Sequence, residues 1–334
     1  MVVIHHTDDI LPLTEQVGGV RLVGEYLARV DVPLFFTISG FLLARKIDRP
    51  GWYGEAIASR FHSLLVPFLL WNLAVALVTA LLRPGEFPFS PLGGFCFEVR
   101  PICGASWYLR NLFYFVLLSP LLLPQLRMRW VGLLWLVGFW IAVGGVTLLG
   151  YMSWDRLGVV NLAFFLTGAA AACHYSILRR VFFAVYTRLH PLLLVVILGG
   201  AWLMVAWLLY RVDCIHGPIY GFVGLRPNPT LGALVLFVGS IGLGMGTLVV
   251  VAAAGRWRIP APIRHATFVV YLLHTELLSV VGRPCLRFLR AYRLPTPLAL
   301  VLIYVLICTL SLFVASTWRR LLPKAYTLFC GGRG

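Results

Sequence analysis

Long stretches without acidic or basic residues recur along this chain, separated by short polar segments. A helix needs roughly 20 apolar residues to cross the hydrocarbon of a bilayer, because each residue adds only about 1.5 Å of length. Six uncharged stretches reach that length unaided: 61–82, 130–154, 157–178, 189–210, 227–255 and 294–318. The pattern therefore predicts a polytopic membrane protein built from helices.

Three shorter apolar stretches reach spanning length only if they take a charged residue into the membrane. These stretches, with their charged residues, are Val32–Ala44 with Arg29 and Asp31, Asn111–Leu126 with Arg110, and Ala266–Gly282 with Glu276. The segment Met1–His6 reads like the end of a further helix. We therefore expect an all-α bundle of about ten transmembrane helices, the first truncated, forming one domain over residues 1–334.

The composition agrees with a lipid environment. The chain is 60% hydrophobic and only 12% charged, whereas about a quarter of the residues of a soluble domain are charged. A formal net charge of +16 would suggest nucleic acid as the partner of a soluble protein, but here the basic residues stand in short clusters between apolar stretches. We expect the basic residues to contact membrane lipid, and we expect no nucleic acid as a partner.

The distribution of basic residues predicts the orientation of the chain. When the loops alternate across the membrane, 16 of the 28 basic residues fall on one side, and cytoplasmic loops carry an excess of Lys and Arg. That side is predicted to be cytoplasmic. Four arginines oppose the rule and cluster on the predicted outer side: Arg283, Arg287, Arg290 and Arg293.

The seven cysteines have no spacing typical of a zinc site, so we expect no metal. Cys96, Cys103 and Cys214 lie in predicted loops. In an oxidising compartment Cys96 and Cys103 would be able to pair, and free thiols are the alternative.

Ionisable side chains at membrane depth are costly and therefore mark candidate functional positions. At the start of the chain His5 and His6 are followed by Asp8 and Asp9. Imidazole suits the removal of a proton from an alcohol near neutral pH, and a nearby carboxylate would orient it. The alternative is that a histidine at a helix end simply lies in the membrane interface.

A second candidate segment begins with Arg29 and Asp31, which form either a neutralising structural pair or part of a substrate site. Pro33 loosens the helix that follows. Ser39 and Gly40 in the same stretch predict a close backbone approach to another helix.

Two further segments carry candidate substrate-binding side chains. Trp107 and Arg110 open one predicted helix, where Arg110 is expected either to point inward or to snorkel to the membrane surface, with snorkelling favoured. His274 and Glu276 are two residues apart on another helix and so lie on different faces. A satisfied buried histidine is the simpler interpretation of His274.

On the predicted cytoplasmic side, Arg60 follows Arg45, Lys46 and Arg49 along the chain. These groups suit the phosphates of a nucleotide-bearing acyl donor. The commoner explanation of such a cluster is the positive-inside rule and contact with anionic lipid.

The segment from Arg29 to Leu43 resembles the hallmark second helix of the acyltransferase 3 family of membrane acyltransferases, which includes O-acetyltransferases of bacterial surface polysaccharides. Trp107 to Arg110, with Pro120 later in the same helix, and the stretch from Phe268 to His274 are similar to further family motifs. Their order and spacing agree from Val2 to about Trp318, and the resemblance covers nearly the whole chain.

The resemblance implies roles for individual residues. His5 matches the family's presumed catalytic base near the end of the first helix, with His6 as the second choice, and it acts either as a base or as a transiently acylated nucleophile. Arg29 matches an arginine before the second helix. Arg60 matches the first member of an Arg-x-x-Arg pair whose second position is Ser63 here.

We accordingly expect a membrane O-acyltransferase of the bacterial inner membrane. It would move an acyl group, acetyl being the first expectation, from acyl-CoA such as acetyl-CoA to a hydroxyl of a saccharide or glycolipid. The family has a basic residue about three turns before this histidine, and the present sequence has no residue at that position before His5. This absence predicts either a start upstream of Met1 or an inactive truncated homologue. A transporter or flippase of a lipid-linked sugar is the remaining alternative.

Overall fold

The computed structural model describes residues 2–7, 10–11, 22–23, 31–82, 101–148, 158–177, 179–180, 191–216 and 260–332. Regular structure within these ranges is entirely helical, so the predicted all-α fold is confirmed. The α-helices in chain order are α1 (Val2–Thr7), α2 (Asp31–Ala44), α3 (Trp52–Arg60), α4 (Val66–Leu82), α5 (Trp107–Arg127), α6 (Arg129–Leu148), α7 (Val159–Cys173), α8 (Pro191–His216), α9 (Ala261–Leu277), α10 (Arg283–Ala291), α11 (Thr296–Leu321) and α12 (Pro323–Phe329).

Eight of the nine apolar stretches expected to span the membrane coincide with apolar helices. Four helical runs are long enough to cross it: Trp52–Leu81, Gly104–Arg127, Ile263–Ala291 and Thr296–Leu321. The shorter apolar helices are Asp31–Ala44, Trp130–Val143, Val159–Cys173 and Gly199–Leu208. The ninth stretch, 227–255, lies outside the described residues. The prediction of a multi-pass membrane protein is confirmed.

Helices also form where the apolar pattern predicted none. A single π-helical turn, Phe61–Leu65, joins α3 to α4, so the first long run begins about nine residues earlier than expected. A second π-helical turn, Leu278–Gly282, joins α9 to α10. Sequence hydrophobicity missed these extensions because a helix satisfies its backbone hydrogen bonds whether or not its side chains are apolar.

The chain divides into two compact units. In the first, which comprises residues 17–52 and 118–257, α2 packs closely against α7. Gly40 of α2 lies against the backbone of Phe165, and Gly168 of α7 lies against the backbone of Thr37. The close helix approach predicted from Ser39 and Gly40 is therefore confirmed.

The second unit comprises residues 2–16, 53–117 and 258–334. Here α9 and α11 pack side by side, and α1 contacts both of them. The C-terminal helix α12 is anchored by an aromatic cluster in which Trp71 donates to the carbonyl of Phe329 at 3.2 Å and Trp318 stacks edge-on against both. Burial raises the pKa of Tyr326 to about 12, so its hydroxyl stays protonated and donates to the carbonyl of His265 at 2.8 Å.

Candidate functional site

Two imidazoles that are far apart along the chain lie close together in the second unit. On α1, Val3 and Thr7 are buried, and the Thr7 hydroxyl donates to the Val3 carbonyl at 2.5 Å. This face lies against α9 and α11. The ring of His6, on the same short helix, lies with its centroid 5.2 Å from that of His274 on α9.

The ring of His274 is buried and hydrogen-bonded within its own helix. The side chain is fully buried, and Nδ1 lies 2.5 Å from the carbonyl oxygen of Tyr271. A carbonyl only accepts, so Nδ1 donates in this contact. The expected burial of His274 is confirmed, and the hydrogen bond that the structure gives the ring is made at Nδ1; its neighbour is the imidazole of His6.

Tyr271 joins this pair to the start of α5. Its hydroxyl donates to the carbonyl of Ala105 at 2.5 Å, and its ring meets that of Tyr108 edge-on at 6.0 Å. Tyr108 in turn lies edge-on to Trp107, with 6.5 Å between centroids. The histidine pair and the aromatic start of α5 therefore form one continuous cluster.

Arg110 follows this aromatic pair on α5 and lies inside the protein. Its residue is only 2% exposed, and Nε donates to the Asn111 side-chain oxygen at 3.3 Å. The expectation that Arg110 snorkels to the membrane surface is wrong. Packing in the folded protein leaves the residue almost no exposed surface, and the apolar pattern of one helix does not specify that packing.

A short segment before α5, Ile102 to Ser106, ends in a single 3-10 turn (Gly104–Ser106) and is held by a buried asparagine. Asn72 is fully buried on α4; its amide nitrogen donates to the Phe68 carbonyl at 2.7 Å and to the Ser106 hydroxyl at 2.9 Å, and its oxygen accepts from the Cys103 backbone at 2.9 Å. Asn72 lies within the apolar run Trp52–Leu81, which is long enough to cross a membrane. Irregular backbone is tolerated there only where protein satisfies its polar groups.

Glu276 contacts the same turn from α9. Its Oε1 accepts from the backbone of Gly104 at 3.3 Å. The neighbouring Thr275 has a buried hydroxyl that finds no hydrogen-bond partner among the described residues, and a side chain added at Gly104 would touch it. Glu276 and His274 contact different neighbours, as their spacing on the helix predicts.

Cys103 in this turn is a buried free thiol, and its Sγ lies 3.8 Å from the carbonyl of Leu272. The pairing with Cys96 is therefore not made, and of the two alternatives the free thiol holds for Cys103. Cys96 itself lies outside the described residues. Among the described residues, no cluster of three His, Cys, Asp or Glu side chains is arranged to hold a metal ion.

Comparison with known proteins identifies the chain's family. The sequence model of the acyltransferase 3 family, described as an acyltransferase domain, matches residues 1–316. The chain belongs to the acyltransferase 3 family. Its aromatic and histidine cluster thus lies within a membrane acyltransferase domain.

One curated relative of this acyltransferase 3 chain is the succinoglycan biosynthesis protein ExoH of Rhizobium meliloti. The two are 29% identical over 113 residues, which is 30% of this chain and 30% of that protein. The match therefore spans less than a third of the relative's length. No solved structure matches the chain significantly.

The other predicted site residues of this family member are placed as follows. His5 lies on α1, but its side chain, like the whole of Asp8 and Arg29, is outside the described part of the chain. Arg60 is half-buried at the end of α3. Ser63, three residues on, lies with its backbone against Gly331, and Gly331 has φ +61°.

The sequence did not identify Asn72 and Ser106 as site residues, because both are uncharged. Tyr108 and Tyr271 lie in segments that the sequence singled out, but without a role of their own. A signal was present for Asn72: a buried amide inside a spanning helix needs hydrogen-bond partners and therefore marks a packed interface. Nothing in the sequence identified the turn at Ser106 as that partner.

We expect Asn72→Leu to destabilise this acyltransferase 3 domain by about 1–3 kcal/mol, because the Ser106 hydroxyl and the Cys103 N–H lose their partner inside the protein. The measurement is thermal unfolding of the purified protein in detergent. Thr79→Val on the same helix is the matched control and should change stability by less than about 0.5 kcal/mol. Equal melting of the two variants would show that the asparagine does not hold the turn.

Proposed function

We propose that this chain is a membrane-embedded O-acyltransferase that moves an acyl group from acyl-CoA to a hydroxyl of a saccharide or glycolipid. The observation that carries the proposal is the pair of imidazoles, His6 and His274, whose rings are 5.2 Å apart beside the aromatic start of α5. The family supplies the class of chemistry, and this pair supplies a group able to perform it.

The base is one of the two N-terminal imidazoles. The sequence resemblance puts His5 first, whereas the contact with His274 favours His6. In the proposed reaction the imidazole takes the proton of the acceptor hydroxyl as its oxygen attacks the acyl carbonyl. The new ester bond forms, the thioester C–S bond breaks, and the proton passes to the departing CoA sulfur. His274 positions the ring of His6.

Other side chains are proposed to stabilise the oxyanion, contact the sugar and bind the donor phosphates. The buried guanidinium of Arg110 would stabilise the developing oxyanion in a site from which water is excluded, and Arg29 is the alternative. Trp107 and Tyr108 offer aromatic faces to a sugar ring. Arg60, half-buried at the end of α3, would hold the phosphates of the donor.

The class of acceptor is proposed by analogy with the curated relative. The relative's name refers to succinoglycan biosynthesis, and a polysaccharide or its lipid-linked precursor fits a catalytic domain buried in a membrane. Acetyl is the proposed acyl group, acetyl-CoA the co-substrate, and the bacterial inner membrane the location. Asp8 is proposed to orient the base.

The proposal is tested with the purified chain reconstituted in lipid vesicles and supplied with radiolabelled acetyl-CoA and a surface polysaccharide. We expect release of CoA thiol and alkali-labile label on the saccharide, both above vesicles that lack the protein. Movement of a lipid-linked sugar across the vesicle membrane without CoA release would support a flippase and contradict the proposal.

A further inference from the structure

The helix α10 continues α9 and carries a compact basic face. Arg283, Arg287 and Arg290 are spaced at i, i+4 and i+7, which places them within an arc of roughly 60° on one side of the helix. Arg283 and Arg287 are exposed, Arg290 is half-buried, and Leu286 turns inward and is buried. Arg283 and Arg287 therefore form an accessible surface, with Arg290 on the same side of the helix.

The level of this surface in the membrane follows from helix length. The chain is helical from Ala261 to Ala291, and 19 residues separate Arg264 from Arg283. At about 1.5 Å per residue the two are roughly 28 Å apart, close to the thickness of the hydrocarbon layer. With Arg264 at one boundary and Arg283 at the other, α10 lies in the headgroup layer.

Two aromatic side chains agree with that level. Phe288 is 62% exposed and Tyr292 is 72% exposed, and their ring centroids are 4.9 Å apart. They lie on the opposite side of α10 from the arginines. Tyrosine is enriched at the headgroup level of membranes, which agrees with the position of Tyr292.

A fourth arginine ends the helix in a strained conformation. Arg293 has φ +58°, the left-handed region in which glycine is usual after a helix, and its N–H donates to the Arg290 carbonyl at 2.8 Å. Arginine is thus present where glycine would be less strained. Basic residues are disfavoured on the predicted outer side of the membrane. Four arginines within 11 residues on that side therefore indicate an anionic binding partner.

We propose that the basic face of α10 is a binding site for the phosphate groups of anionic phospholipids in the outer leaflet. Guanidinium groups bind phosphate oxygens through paired N–H donors, and the three arginines offer several such forks at the level of the lipid phosphates. The Phe288–Tyr292 pair holds the helix at that level.

The experiment uses the full chain in phosphatidylcholine nanodiscs that contain a small amount of a photoactivatable phospholipid. The probe is phosphatidylglycerol with a diazirine near its headgroup, and phosphatidylcholine with the same diazirine is the reference. After illumination, label on segment 283–293 is quantified by mass spectrometry. We expect several-fold more label from phosphatidylglycerol. Equal labelling by the two probes would overturn the proposal without need of any variant.

Matched variants test whether the arginines are responsible. The triple variant Arg283→Gln, Arg287→Gln, Arg290→Gln should lower phosphatidylglycerol labelling of the segment roughly tenfold or more. The control variant Arg264→Gln, Arg319→Gln, Arg320→Gln removes the same charge from exposed residues elsewhere and should leave that labelling unchanged. Circular dichroism checks that both fold.

Three results would contradict the inference. Unchanged labelling in the α10 variant would show that the arginines do not bind the lipid. An equal loss of labelling in the control variant would show that only the net charge of the protein matters. Displacement of the phosphatidylglycerol probe by an equimolar polyisoprenyl diphosphate would assign the surface to a lipid-linked acceptor instead.

Discussion

Replacing His6 by alanine is expected to lower acyl transfer about 10²–10⁴-fold, the range that a positioned general base contributes. The reason is the loss of the imidazole next to His274, which we propose takes the proton of the acceptor hydroxyl. The measurement is the rate of CoA release with radiolabelled acetyl-CoA, at matched amounts of folded protein. Added free imidazole should restore part of the rate if proton transfer is what was lost.

Three companion variants make this prediction specific. His274→Phe keeps an aromatic ring but removes the Nδ1 donor to Tyr271, and it should lower the rate while the protein still folds. His265→Ala on the same helix is the matched control and should retain the activity. His5→Ala distinguishes the two N-terminal imidazoles: its full inactivity beside an active His6→Ala would make His5 the base and the assignment to His6 wrong.

The second large effect is expected for the helix contact between α2 and α7. A methyl group at Gly40 would overlap the carbonyl oxygen of Phe165, and one at Gly168 would overlap the carbonyl oxygen of Thr37. Backbone cannot move aside as a side chain can, so α2 and α7 would have to separate. We expect Gly40→Ala and Gly168→Ala each to destabilise the fold by at least about 1–3 kcal/mol, the usual range for overpacking.

The control for this contact is Gly138→Ala on α6, where nothing lies within 4 Å of an added side chain. Alanine there should leave stability unchanged or raise it by about 0.5–1 kcal/mol, because glycine is the poorer helix former. Thermal unfolding in detergent and the monodisperse fraction after size exclusion provide the comparison. Melting of Gly40→Ala at the same temperature as Gly138→Ala would show that the helices do not need this close approach.

The sequence predicted several parts of the fold correctly because their cause is local. Gly40 was expected to meet another helix since a small residue leaves backbone accessible, and it does so at Phe165. The helix carrying Arg110 was also predicted, but its guanidinium was expected at the surface and is buried. Which side of a helix is covered depends on its rotation and neighbours, and neither is written in the apolar pattern.

The candidate site shows the same division. His6 and His274 were both singled out by residue type, yet 268 positions separate them and nothing in their spacing predicts that their rings meet. Asn72 and Ser106 were not singled out, because uncharged polar residues are common in spanning helices. Their importance follows from the hydrogen bond between them.

The apolar pattern is sufficient to predict an all-α protein of the membrane, because lipid offers the backbone no hydrogen bonds and apolar segments long enough to cross it must satisfy their own. Which polar groups share a site follows from the folded arrangement of the helices. The free energy that brings His6 to His274, or the turn at Cys103 to Asn72, comes from packing between helices distant along the chain, and the period of the sequence carries no record of it.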